Sequence, residues 1–291
     1  MTTPEHRKSA ELALFAVTVI WGVMFVVVKN ALTDISPFLF LALRFSIAAL
    51  ILGAVYGRKV RRTALKAGVL AGSLLFAAFV FQTEGLALTT PSKSAFLTGL
   101  SVPMVPLASS LVYRIRPRKF EVAGILIASI GMAMMTLPSG KFEMSTGDFL
   151  SLLCAVTFAL HIVVMGHFSP IVGFETLAVA QVTVAALLGF LSAGLFGPVR
   201  FHPTPALGAA VLVTGILATA LAFTTMAWAQ QYTSPSRTAL ILALEPAVAW
   251  LTSYVVAGEV LSDRGKIGAG LILAGVLLVE LKRSKPEKLY V

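Results

Sequence analysis

A single cysteine, Cys154, excludes an intramolecular disulfide and any multi-cysteine metal site, and leaves a small apolar filler inside a helix as that residue's role. Charge is scarce as well. Only 12% of the residues are Asp, Glu, Lys or Arg against 57% hydrophobic, and the mean hydropathy is +0.90. That is more apolar surface than one soluble core of 291 residues can bury, so water is the wrong solvent for most of the chain. No Walker-type phosphate loop is present and no polar stretch is long enough to form an ATP-binding domain, which excludes a pump driven directly by ATP. His6, His161, His167 and His202 are scattered, so neither a metal site nor a cluster of catalytic groups at one membrane face is expected. We expect no catalytic residue and no cofactor.

What is present is a series of long apolar runs. There are ten, approximately Leu12–Lys29, Ser36–Tyr56, Leu65–Leu88, Pro91–Tyr113, Phe120–Leu137, Gly147–Gly166, Phe174–Phe196, Ala206–Gln230, Pro235–Ala257 and Asp263–Leu281. Each approaches the roughly 20 residues a helix needs to cross the hydrocarbon layer. The runs are continuously apolar, unlike the alternating strands of a barrel, so the lipid-embedded backbone must be helical. The partner implied first is therefore the lipid bilayer.

The net charge of +10 does not imply nucleic acid, because the basic residues lie in the short gaps between runs and form no single face. With a cytoplasmic N-terminus, sixteen Lys and Arg fall in inside segments and six outside, the loops Arg58–Lys66 and Arg114–Lys119 carrying most of the bias. Ten spans then put both termini in the cytoplasm of a cell that holds the protein in its inner membrane. The run after Met1–Glu11 is too long for a signal peptide and no small-residue cleavage site follows it, so this segment is expected to stay attached.

The chain also repeats itself. Pro91-Ser92-Lys93-Ser94-Ala95 sits 144 positions before Pro235-Ser236-Arg237-Thr238-Ala239, and the same offset pairs Leu100 with Leu244, Gly124 with Gly268 and Gly131 with Gly275. Nearer the start of each half an offset of 137 pairs Glu11 with Asp148, Trp21 with Phe158 and Arg44 with Gln181. Each half holds five spans, and an odd number makes the two copies enter the membrane from opposite sides. The polar linker around Lys141 divides residues 1–141 from 142–291. Such an inverted repeat predicts a midplane cavity lined by both copies, suited to alternating access.

At these residues the sequence resembles the EamA-type branch of the drug/metabolite transporter superfamily along nearly its whole length. Trp21-Gly22, Leu43-Arg44-Phe45, Phe81-Gln82-Thr83-Glu84-Gly85-Leu86, Ser94–Leu100 with Pro103, Leu244-Glu245-Pro246 and Gly258-Glu259 carry the resemblance by their order and spacing. One departure is Arg114-Ile115-Arg116-Pro117, where the repeat equivalent of Glu259 would carry a glutamate. The resemblance implies a ten-helix fold whose cavity is lined by the first, third, fourth, sixth, eighth and ninth helices. It also implies secondary transport of small metabolites such as amino acids, with a small-molecule substrate as the second partner.

Several side chains are candidates for that work. Arg44 lies inside an apolar span, where an unpaired charge costs a few kcal/mol, so it must meet a carboxylate, carbonyl dipoles or the cavity. Glu84 and Glu245 are the carboxylates furthest from the loops; Glu245 precedes Pro246, which frees a carbonyl one turn earlier and kinks the helix where a gate can hinge. These four are candidates for coupling or gating, against the alternative that Glu245 merely pairs with Arg44. Lys93 and Arg237 stand in the first turns of equivalent helices, where a cation and the helix N-terminus attract an anionic group or simply face headgroups. Gln82, Ser101 and His161 can line a wet cavity, and Trp21, Phe25 and Trp228 can stack on an apolar substrate. Small residues from Gly124 to Ala128 and from Gly268 to Gly275 give two helices smooth faces, for packing within the chain or for a homodimer.

Overall fold

Proline and threonine decide where many of the helices begin. Pro37, Pro91 and Pro205 each sit in a first turn, where a missing N–H has no helical partner to lose. Thr90 and Thr204 precede two of them, and their hydroxyls accept from the N–H groups of Lys93 and Leu207 at 3.4 and 3.1 Å. Ser145 and Asp148 form a reciprocal capping box at a further start. The computed structural model describes residues 4–61, 65–113, 119–136, 144–196, 198–233, 238, 241–242 and 244–281.

The helices are α1 (Pro4–Ala31), α2 (Pro37–Tyr56), α3 (Leu65–Leu88), α4 (Pro91–Gly99), α5 (Ser101–Tyr113), α6 (Lys119–Thr136), α7 (Thr146–Val172), α8 (Phe174–Ala193), α9 (Pro205–Gly215), α10 (Ala222–Ala229), α11 (Glu245–Ala257) and α12 (Asp263–Leu281). A π-helical turn, Ile216–Leu221, joins α9 to α10 within one rod. Among the described residues seven segments are long and apolar enough to cross a membrane: Glu5–Ala31, Pro37–Lys59, Leu65–Leu88, Pro91–Val112, Thr146–Val172, Phe174–Ala193 and Pro205–Ala229. The extended pairing found among them is one antiparallel bridge, Ile35 with Phe201, so this is an all-helical, multi-pass membrane protein.

Two departures from the sequence-based boundaries have clear causes. The helix α1 begins well before Leu12, because Arg7 and Glu11 pair at 3.4 Å one turn apart and carry the helix through its polar start. The run from Pro91 to Tyr113 is broken at Leu100, since Pro103 has no N–H for the carbonyl of Gly99 and Pro106 has none for that of Val102. At the corner between α7 and α8, Gly173 takes φ 86°, a left-handed value that lets two long helices follow one another with a single intervening residue.

The smooth helix faces pack on each other within the chain. A Cβ on Gly131 of α6 would lie 2.5 Å from the carbonyl oxygen of Gly268 and 2.8 Å from the nitrogen of Ile272. A Cβ on Gly275 of α12 would lie 2.5 Å from the carbonyl oxygen of Gly124 and 2.8 Å from the nitrogen of Ala128. At one end of the bundle several polar ties join elements remote in sequence. Lys93 pairs with Asp148 at 2.8 Å, Glu259 accepts from the Ser92 hydroxyl at 2.8 Å, and Lys29 donates to the carbonyls of Leu86 and Ala87 at 2.9 and 3.0 Å. At the other end Lys59 pairs with Glu175 at 3.2 Å, and Gln231 donates to the Ser169 carbonyl at 3.2 Å.

Candidate functional site

A buried arginine inside a membrane helix needs acceptors, and the π turn supplies them. Arg44 of α2 is 3% exposed; its Nε donates to the Thr219 hydroxyl at 2.6 Å and its Nη2 to the Ala218 carbonyl at 3.3 Å. Thr219 in turn donates to the Thr214 carbonyl five residues back, the spacing that the π turn opens. The same Ala218 carbonyl accepts from Trp21 Nε1 at 2.8 Å, so one short segment orients both side chains. The guanidinium carbon lies 4.3 Å from the centroid of the Phe79 ring, whose face stabilises the cation.

Arg44 thus reaches a cavity of about 770 Å³, counting the space at its mouth. Trp21, Met24 and Phe25 of α1, Phe79 and Gln82 of α3, and Thr98, Gly99, Ser101 and Val102 at the α4–α5 break line it in the first half of the chain. Phe158, His161 and Ile162 of α7, Phe223 and Met226 of α10, and Leu242 and Glu245 complete it. Phe79 meets Phe45, Phe158 and Phe223 edge to face at 5.3, 5.4 and 5.8 Å, a rigid aromatic wall. The second span, through Arg44, joins the set of helices that the resemblance implied.

Fourteen of the twenty lining residues fall into pairs at the offsets of the sequence repeat. Trp21 and Phe158, Met24 and His161, and Phe25 and Ile162 are 137 positions apart. Phe79 and Phe223, Gln82 and Met226, Thr98 and Leu242, and Ser101 and Glu245 are 144 apart. The helix breaks at Leu100 and Leu244 share that offset and touch, since a Cβ on Gly99 would lie 2.7 Å from Pro246 Cγ.

Charge does not follow the pairing. Arg44 and Glu245 face the same cavity, yet no ion pair joins them, and among the described residues the Glu245 carboxylate accepts no hydrogen bond. His161 is fully buried; its Nε2 meets Gln181 Oε1 at 2.9 Å and its Nδ1 has no partner. Among the described residues no group of His, Cys, Asp and Glu is arranged to hold a metal. Cys154 is buried beneath the lining with the Thr98 hydroxyl 3.8 Å from its sulfur.

Of the residues singled out from the sequence, Trp21, Phe25, Arg44, Gln82, Ser101, His161 and Glu245 come together on this cavity. Lys93 lies at the end of the bundle in its ion pair with Asp148. Pro246 backs the α4–α5 break, Trp228 meets Tyr232 edge to face with centroids 5.4 Å apart, and half-buried Glu84 stays outside the lining. Arg237 lies outside the described residues. Phe79, Phe158, Phe223 and Thr219 were not singled out; applying the repeat offsets to the aromatic residues finds the first three, and no compositional signal marks Thr219.

Comparison with known proteins agrees with this architecture. The model of the EamA-like transporter family matches residues 8–137 and again 145–281. A transporter of Archaeoglobus fulgidus described as uncharacterized is 35% identical over 95% of this chain and 87% of its own length. The uncharacterized inner membrane transporter YedA of Escherichia coli is 26% identical over 92% and 90%. A probable amino-acid metabolite efflux pump of Salmonella typhimurium is 28% identical over 94% of both chains. A crystal structure 23% identical to this chain superposes with a TM-score of 0.72, covering 96% of this chain and 99% of the other, which shows a shared fold. The chain belongs to the EamA-like transporter family.

Proposed function

We propose that the protein is a secondary transporter that exports small metabolites such as amino acids across the inner membrane by alternating access. Its ten helices form two inverted five-helix repeats, residues 1–141 and 142–291, with both termini cytoplasmic. The observation that carries this reading is the pairing of the cavity lining at the two repeat offsets, because a pseudo-two-fold axis in the membrane plane makes inward-open and outward-open forms near mirror states of one another. The reciprocal contact of Gly131 with Gly268 and of Gly275 with Gly124 supports the same axis. Arg44 and Glu245 are the charges the substrate or its coupling ion meets, and Trp21, Phe25, Gln82, Ser101 and His161 shape its seat. Glu84, Lys93, Trp228, Arg237 and Pro246 act on gating or anchoring. A homodimer must use a face other than the glycine crossing of α6 with α12.

The test is counterflow in liposomes reconstituted with the purified protein, using labelled amino acids, nucleosides and organic cations, with Glu245→Gln in parallel. Saturable exchange of one class, lost in the variant, is the expected result. No exchange of any class would overturn the reading.

A further inference from the structure

The first turn of α4 is held from two sides by carboxylates remote in sequence. Lys93 pairs with Asp148 at 2.8 Å, and Asp148, 1% exposed, also accepts from the Thr89 hydroxyl at 3.3 Å. Beside it the Ser92 hydroxyl donates to Glu259 at 2.8 Å, and Gly258, at φ 66°, turns the chain after α11 so that Glu259 also accepts from Ser253. Inward from the ion pair α4 and α7 run parallel from the same end, and polar atoms continue to meet: the Ser94 and Ser151 hydroxyls at 3.3 Å, then Thr98 with Cys154. Thr98 itself lines the cavity, as do Val28 and Leu86, which lie within one turn of the ends of α1 and α3. This seam therefore runs from the end of the bundle down to the cavity. The sequence repeats its charges, with Glu11 137 positions before Asp148 and Arg237 144 after Lys93. The hydroxyls differ: Ser94 has its partner, whereas Thr238, 144 positions on, is fully buried without one among the described residues.

We propose, resting on the transport reading above, that the α4–α7 seam is the gate of the mouth at this end of the bundle and that Lys93 and Asp148 are its latch. In the closed form the ion pair and the Glu259 contact hold the first turn of α4 over the cavity; in the open form α4 leaves both carboxylates and water reaches Thr98. The chemistry suits a reversible closure. Burying an ion pair costs about as much solvation as the attraction returns, so the closed and open forms lie close in free energy. Removing one partner alone is different, because the uncompensated charge disfavours burial and the closed form gives way. Neither Lys93 nor Asp148 lines the cavity, so the latch acts on access and not on the fit of the solute.

The test follows thiol reactivity in the full chain carrying Cys154→Ser, because Cys154 lies one turn along α7 from Ser151. Ser94→Cys places a reporter inward from the ion pair at a fully buried position. Adding Lys93→Gln is expected to speed its modification by a small maleimide at least about tenfold, while Lys93→Arg, which keeps the charge, leaves it slow. Equal rates with Lys93, Gln and Arg, or an Arg variant as fast as the Gln variant, would overturn the proposal. A second measurement closes the seam covalently with Ser94→Cys and Ser151→Cys, whose parent hydroxyls lie within disulfide reach. Oxidation is expected to cut counterflow exchange at least about tenfold, and dithiothreitol to restore it. The labelled solute found in counterflow then serves as the bound probe in detergent, and the cross-linked protein is expected still to release it to unlabelled solute. Exchange that survives cross-linking would overturn the gate, as would a cross-linked protein that no longer binds and releases the probe. If the protein free of cross-links exchanged no solute at all, the transport reading would fall and the maleimide rates would still decide the gate. Exchange through a seam indifferent to Lys93→Gln and to cross-linking would do the opposite.

Discussion

The two halves of the chain contribute to the cavity alike in shape and unlike in polarity. Trp21 pairs with Phe158 and Phe79 with Phe223 at the repeat offsets, so aromatic bulk is matched between the halves. The polar partners are not matched. Ser101 stands where the second half has Glu245, Met24 where it has His161, and Gln82 where it has Met226. Arg44 corresponds to Gln181, which is fully buried against His161 behind the lining. The cavity thus combines matched bulk with unmatched charge.

Substitutions can break that contrast. The largest difference is expected between Glu245→Gln and its repeat partner Ser101→Ala. Losing a buried charge that pairs with ligand costs about 2–5 kcal/mol, hence more than about 30-fold in exchange affinity, while losing the hydroxyl costs about 1 kcal/mol. Similar effects measured by counterflow would mean that the halves share the polar work. Next, Gly131→Val and Gly275→Val should destabilise the detergent-solubilised protein equally, by about 1–3 kcal/mol each, because the clashes they create are repeat equivalents. Unequal thermal unfolding would count against the axis through that crossing. Thr219→Val removes the acceptor of Arg44 Nε and should weaken ligand binding by roughly tenfold, measured as displacement of the bound probe, without loss of the folded protein. The smallest effect is expected from Trp21→Phe, which makes the first half resemble Phe158 of the second and loses one hydrogen bond to Ala218, about 1 kcal/mol or severalfold in affinity.

The seven long apolar segments were legible because hydrocarbon imposes length and apolarity on every crossing segment, and Gly131 and Gly275, 144 positions apart, because a close helix crossing leaves no room for a side chain at either. Arg44 and Glu245 were visible as charges where charge is expensive. The aromatic wall was not, since Phe79 in an apolar run has the same composition whether it faces lipid, a neighbouring helix or a cavity. The π turn at Ile216–Leu221 was invisible for a different reason: the stretch ILATAL suits an ordinary helix, and only its contacts with Arg44 and Trp21 make the wider turn useful. Lys93 illustrates the converse, a cation at a helix start that the fold uses to tie α4 to α7 through Asp148.

The lone thiol has a practical consequence. Cys154 is fully buried, so thiol-directed dyes and spin labels should leave the native chain dark. Cysteines introduced in pairs, one at each end of the bundle, would then be the reactive positions without first mutating the background. The chain is in effect supplied ready for a spectroscopic ruler, with which any change in separation between the two ends of the bundle can be read directly.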